Sequence, residues 1–221
     1  MKRWIFSLAF AVTSTLTPAV TQKMIDHAQL IVSKKVSVTE KDYLPPESVY
    51  SEHLFVKAMK IDGFSGAGLE KLHLAFKVLE MVVNTDEFKE RVLNFKNLKG
   101  ERHFSSNRGL SNEDIFHQFM EGRETLQPNT PGEMNFFLRL YNRPWSKVIG
   151  YTSGETNVIS INLKFFKNYR PSDVAANLAH EWTHKIGFDH KSAQEHDSVP
   201  YAIGYIVGDI AKKILKTNQL H

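Results

Sequence analysis

The chain has 221 residues, 42% of them hydrophobic and 11% aromatic, with 28 basic against 24 acidic side chains. That is enough apolar material for one substantial core and too much for a disordered chain, and the dispersed Lys and Arg residues argue against a nucleic-acid partner. The absence of cysteine excludes disulfides, a cysteine latency switch and a lipidated cysteine anchor.

Lys2 and Arg3 precede an uncharged apolar run from Trp4 to Val12 and then small and hydroxyl residues to Ala19. This order predicts a secretory signal peptide over residues 1–19, and the run is too short to span a bilayer comfortably. The expected mature protein is secreted or periplasmic, nearly neutral, and without stable membrane insertion. Residues 20–50 end in Pro45-Pro46-Glu47-Ser48 and read as a linker, a packed arm or a short pro-segment. Residues 51–221 then form one domain.

Leu54 to Ile61 predicts a first strand, closed by Asp62-Gly63. Leu72, Phe76, Leu79 and Val83 recur at helical spacing within 69–83, and Phe88, Val92 and Phe95 mark a second helix after Thr85. His73 and His117 fall in helical stretches and read as structural or solvated. Ser111 to Asp114 is a helix start for Ile115 to Met120, with acids in the first turn. Strands are predicted over 134–141, 147–151 and 157–163. Pro171, Ser172 as N-cap and Asp173 in the first turn open a helix whose apolar stripe is Val174, Ala175, Leu178 and Ala179. A last helix spans 200–215, with Ile203, Val207, Ile210 and Ile214 on one face and Asp197 and Ser198 as caps. Gly204 and Gly208, one turn apart, predict close backbone packing of that helix.

The penultimate helix carries the chemistry: His180-Glu181-Trp182-Thr183-His184-Lys185-Ile186-Gly187-Phe188-Asp189-His190 reads HExxHxxGxxH. Helical residues four apart share a face, about 6 Å up the axis, so His180 and His184 can reach one metal ion. Glu181 lies about 100° round, where it can hold a water without ligating the metal. Gly187 allows a left-handed exit that swings His190 towards the same point. Three imidazoles leave one position open, the arrangement of catalytic rather than structural zinc. If His190 pointed away, Asp189 would be the alternative third ligand. His196 reads as a solvated loop residue or an outer partner of the site.

These eleven residues resemble the signature of the metzincin clan of zinc metallopeptidases, matched at every fixed position by His180, Glu181, His184, Gly187 and His190. The resemblance implies three zinc ligands, Glu181 as general base, and a zincin-like α+β fold: a small twisted mixed sheet with backing helices, the zinc helix and a C-terminal helix. It further implies a sheet-edge strand, at 157–163 or 147–152, that pairs with an extended substrate. One departure is plain. Metzincins place a methionine in a turn beneath the metal, yet the last methionine here is Met134. Ser198-Val199-Pro200-Tyr201 is the candidate turn, with Pro200 or Tyr201 as the floor.

The expected activity is therefore hydrolysis of a protein or peptide substrate by a zinc-activated water. Tyr201, and behind it Tyr205, are candidate donors to the developing oxyanion. The rivals are a zinc hydrolase acting on cell-wall peptides or amides, and a non-catalytic module with structural zinc. Glu181 speaks against the last, because a structural site needs no base. The pattern carries no signal for a particular oligomeric state.

Overall fold

The computed structural model describes residues 53–125, 130–152 and 157–217. The expected signal peptide and the 20–50 segment lie outside the described residues.

Four strands form one mixed sheet: β1 (Phe55–Asp62), β2 (Glu133–Tyr141), β3 (Gly150–Thr152) and β4 (Val158–Asn162), in the order β1-β2-β4-β3. The first three neighbours are parallel, and β3 is antiparallel to β4 at the edge. A bulge between Ala58 and Lys60 interrupts the other edge strand, β1, which carries Lys57 and Lys60, devices that discourage edge-to-edge pairing.

Six helices accompany the sheet among the described residues: α1 (Gly66–Val83), α2 (Asp86–Leu93), α3 (Asn112–Glu121), the single turn α4 (Leu163–Phe166), α5 (Pro171–Lys185) and α6 (Val199–Thr217). The class is α+β. Among the described residues no helix is long and apolar enough to cross a membrane. The core forms where α1 and α5 meet β2: Phe136 lies 5.4 Å from Phe76 of α1 and 6.0 Å from Trp182 of α5, ring centre to ring centre.

Local chemistry explains most helix ends. The Thr85 hydroxyl accepts the Phe88 N–H at 3.1 Å to start α2. Ser111 and Asp114 exchange a capping box at the start of α3. The start of α5 differs from expectation: Arg170, not Ser172, is the N-cap, and Pro171 takes the first helical position, where a missing N–H costs nothing. Asp173 accepts the Arg170 backbone N–H at 3.1 Å, and Ser172 is buried within the helix.

The caps expected for α6 also divide. Ser198 does occupy the N-cap position, its carbonyl accepting the Ala202 N–H at 2.9 Å, but its hydroxyl donates to the Glu195 carbonyl. Asp197 instead accepts from the Ser105 hydroxyl at 2.7 Å and the Leu98 N–H at 3.1 Å, tying a distant loop down. Residues 199–201 are the first turn of α6 rather than a free turn.

The strand expected over 147–151 shrinks to Gly150–Thr152. Asn162, fully buried, explains this, because its Nδ2 donates to the carbonyls of Arg143 at 3.0 Å and Val148 at 3.3 Å. Those contacts hold 143–148 as a loop. The 157–163 segment supplies β4, which is paired on both sides and so has no edge to offer. The open edge is β3.

Candidate metal centre

The C-terminal end of α5 is built to deliver a third imidazole. Gly187 has φ +94°, in the left-handed region that side chains disfavour. Its N–H donates to the His184 carbonyl at 3.0 Å, and the Phe188 N–H to the Thr183 carbonyl at 2.9 Å, the paired bonds of a Schellman exit. A Cβ at Gly187 would also stand 2.9 Å from Arg108 Nη1. Phe188 is buried and anchors the turn, so the chain reverses and His190 returns to the helix face.

His180, His184 and His190 are brought together: one ring nitrogen from each lies within 4.8 Å of the other two. His180 Nε2 and His184 Nε2 are 3.3 Å apart. His184 Nδ1 faces the Phe188 carbonyl at 2.8 Å and the Asp189 carboxylate at 3.1 Å. Both are acceptors, so Nδ1 carries the proton and Nε2 is left as a lone pair. Asp189 thus orients a histidine instead of replacing His190. Pro200 has no N–H, so the backbone group that hydrogen-bonds His180 is its carbonyl. His190 Nδ1 is buried with no hydrogen-bond partner among the described residues.

Burial, followed by the neighbouring His184 and His190 rings, pushes His180 down to about 3. Burial and His184 lower His190 in the same way. Both of these rings are therefore held towards the neutral form, the one that ligates metal.

Glu181 is 3% exposed, and its carboxylate meets β3. Thr152 Oγ1 donates to its Oε2 at 2.8 Å, and Asn177, one turn earlier on α5, also hydrogen-bonds it. Burial raises the Glu181 pKa, opposed by His184 and by these hydrogen bonds. Gly150 matters for the same reason: a Cβ there would lie 3.3 Å from Glu181 Oε1 and 3.1 Å from the Ser160 carbonyl. A side chain there would make β3 or the carboxylate give way by a few tenths of an ångström. Thr152, Asn177 and Gly150 were not legible in the motif, although Asn177 four residues before Glu181 offered the periodicity that would find it.

Tyr201 closes the site from below. Its ring centre is 4.6 Å from that of His180 and 4.7 Å from that of His190, so it packs against two of the three imidazoles. Burial, followed by Tyr205 and Glu181, raises its pKa, and the phenol keeps its proton. Tyr205 lies further out, where its hydroxyl meets His196 Nδ1 at 2.9 Å; His196 is thereby an outer member of this aromatic cluster. A cavity of about 480 Å³ adjoins this pair, lined by Arg91, Asn94, Phe95 and Ile206. It neighbours the floor of the site, not the histidine trio itself. His73 and His117, on α1 and α3, take no part in the trio.

The helix is fixed from behind. Lys185 and Glu124, both essentially inaccessible, form an ion pair at 3.0 Å, and the ammonium also donates to the Asn135 carbonyl of β2. Gln118 and Thr125 donate to the carbonyls of Ile186 and Lys185, satisfying groups that a helix end leaves bare.

Comparison with family models, with curated proteins and with solved structures returns no match.

Proposed function

We propose that the chain is a zinc-dependent endopeptidase of the metzincin type, with His180, His184 and His190 as ligands and Glu181 as general base. The observation that carries this reading is the pairing of a three-imidazole cluster with a buried carboxylate that is on the same helix yet outside the ligand set. The donor set fits zinc. Zn–N bonds of about 2.0–2.1 Å in tetrahedral geometry separate two nitrogens by about 3.3–3.4 Å, the spacing of His180 Nε2 and His184 Nε2. When bound, zinc would lower the pKa of an attacking water and polarise the scissile carbonyl.

The side chains would do the rest. Glu181 takes the proton of the attacking water and delivers it to the leaving amine; burial makes its carboxylate more basic than an exposed one, which suits that exchange. Thr152 aims the carboxylate through Oε2. The protonated Tyr201 phenol is the candidate second donor to the oxyanion. An extended protein or peptide substrate would pair with the open edge of β3, three residues long and adjacent to Glu181. With the sequence pattern of residues 1–19, this describes a secreted or periplasmic enzyme.

Glu181→Gln tests the proposal, because it preserves shape while removing the proton acceptor. Zinc content and folding should match the wild type while hydrolysis of a peptide library falls at least about 100-fold. His180→Ala should lose metal and activity together. Wild-type hydrolysis by Glu181→Gln would refute the mechanism.

A further inference from the structure

We propose that the loop carrying Trp145 is a contact for an anionic phospholipid surface, seating the protein peripherally with its open sheet edge beside the membrane. Of the seven large exposed hydrophobic side chains among the described residues, four fall within 145–151: Trp145 at 94% exposure, Val148 at 49%, Ile149 at 37% and Tyr151 at 42%. Water-exposed apolar side chains scattered singly need no explanation, but four within seven consecutive residues, three on the loop and Tyr151 on the edge strand that follows, do.

The loop is braced, so the exposure is built in. Asn162 holds both of its ends through the carbonyls of Arg143 and Val148. Ser146 Oγ accepts the Val148 N–H at 3.0 Å, and Lys164 Nζ donates to the Ser146 carbonyl at 3.0 Å. Among the described residues nothing covers the indole.

The surrounding charge selects the partner. From Arg139 to Arg170 the sequence carries six basic residues against the single acid Glu155. Arg143, Lys147 and Lys164 are exposed beside the apolar cluster, and none has an acidic ion-pair partner among the described residues. Trp and Tyr at headgroup level, with cations facing anionic phosphates, are the side chains that interfacial contacts use. An acidic peptide would satisfy the cations alone. A peptide-binding site would enclose the aromatic in a concave wall, and an indole 94% exposed has none.

Ile149 immediately precedes β3, and Thr152 at its end touches Glu181. Docking through this loop therefore brings the candidate metal centre to the lipid surface, where segments of membrane-attached proteins are within reach. The contact needs no metal and no catalysis, so it stands or falls separately from the peptidase reading.

Sedimentation of the full chain with vesicles of phosphatidylcholine, or of phosphatidylcholine and phosphatidylglycerol in equal amounts, tests it, with tryptophan emission as a second readout. Binding should be strong only to the anionic vesicles and weaken with salt. Arg143→Gln with Lys147→Gln should weaken it roughly fivefold per cation removed. Trp145→Ser should weaken it at least about tenfold and, with Trp4 replaced by Phe in both proteins, abolish a blue shift of the emission, since the remaining Trp182 is already buried. The N-terminal apolar segment adds its own background to every variant, and the same series without residues 1–19, the expected mature form, separates that background from the loop. Wild-type sedimentation by these variants, or equal binding to both vesicle types, would overturn the proposal. So would loss of poly-glutamate binding in the variants with vesicle binding unchanged, which would assign the loop to an acidic protein partner.

Discussion

Gly204→Ala places one methyl group at the contact between α5 and α6 that supports the metal-binding face, and two opposing effects decide its outcome. The new Cβ would lie 3.0 Å from the Ala176 carbonyl oxygen and 3.3 Å from His180 Cβ. The first neighbour is backbone, so the two helices must part by a few tenths of an ångström. Overpacking of a well-filled interior costs about 1–3 kcal/mol. Against this, replacing a helical glycine by alanine contributes about 0.5–1 kcal/mol through the unfolded chain. The net expectation is destabilisation by about 1 kcal/mol, a fall in Tm of about 2–4 °C for a domain of this size. Zinc affinity should drop as well, because His180 is one of the two groups pushed. Gly68→Ala provides the control of opposite sign. Its Cβ would meet only Phe166 Cε1 at 3.5 Å, an ordinary contact, so propensity wins and Tm should rise slightly. Thermal denaturation of the metal-free proteins and zinc titration measure both quantities. A Gly204→Ala protein as stabilised as Gly68→Ala would refute the packing argument.

Three further predictions follow from the site. Thr152→Val removes the donor at 2.8 Å from Glu181 Oε2; a hydrogen bond to a charged acceptor contributes about 1.5–3 kcal/mol, so the Glu181 pKa should rise by about 1–2 units. The acid limb of the kcat/KM profile should move up accordingly, with Thr152→Ser near wild type; an unmoved limb would show that Thr152 does not tune the base. In the metal-free protein His180 is held down to about 3 from 6.5, so the unfolded chain takes up a proton that the folded chain refuses between these values. Stability is then full above about pH 6.5 and falls as pH drops towards 3, by up to several kcal/mol; urea titrations at pH 7 and pH 4 compared with His180→Gln check the sign, and an equal pH slope in the variant would exclude His180 as the cause. Lys185→Met breaks the buried ion pair with Glu124 and should cost about 3–5 kcal/mol, read by chemical denaturation, whereas Lys185→Met with Glu124→Leu should recover most of it.

The helix that carries the site was legible because its information is local. Residues four apart share a helical face whatever surrounds them, so His180 and His184 were paired by spacing alone, and a glycine at the exit already implied the reversal that returns His190. The amphipathic stripes of α1 and α6 and the caps Thr85 and Ser111 are local in the same sense. The expectation that Gly204 and Gly208 mark a close approach also held, with Ala176 of α5 as the neighbour of both.

What the tertiary structure decided lies between residues far apart in the chain. No period links Thr152 or Gly150 to Glu181; their meeting depends on β3 adding to β4 antiparallel, which made β3 the edge and enclosed β4. Whether 147–151 was strand or loop turned on one buried side chain, Asn162, whose amide binds backbone that the sheet would otherwise have claimed. Ser172 had the chemistry of a cap, but Pro171 with its preset φ started the helix two residues earlier than that cap implies. Tyr201 meets His180 and His190 because α6 packs against α5 at two glycines, an arrangement that the sequence permits and only the assembled helices impose. Spacing along one helix and its exit turn determined which three imidazoles could hold a metal; contacts between elements determined the burial that raises the Glu181 pKa, since burial is a property of the whole fold.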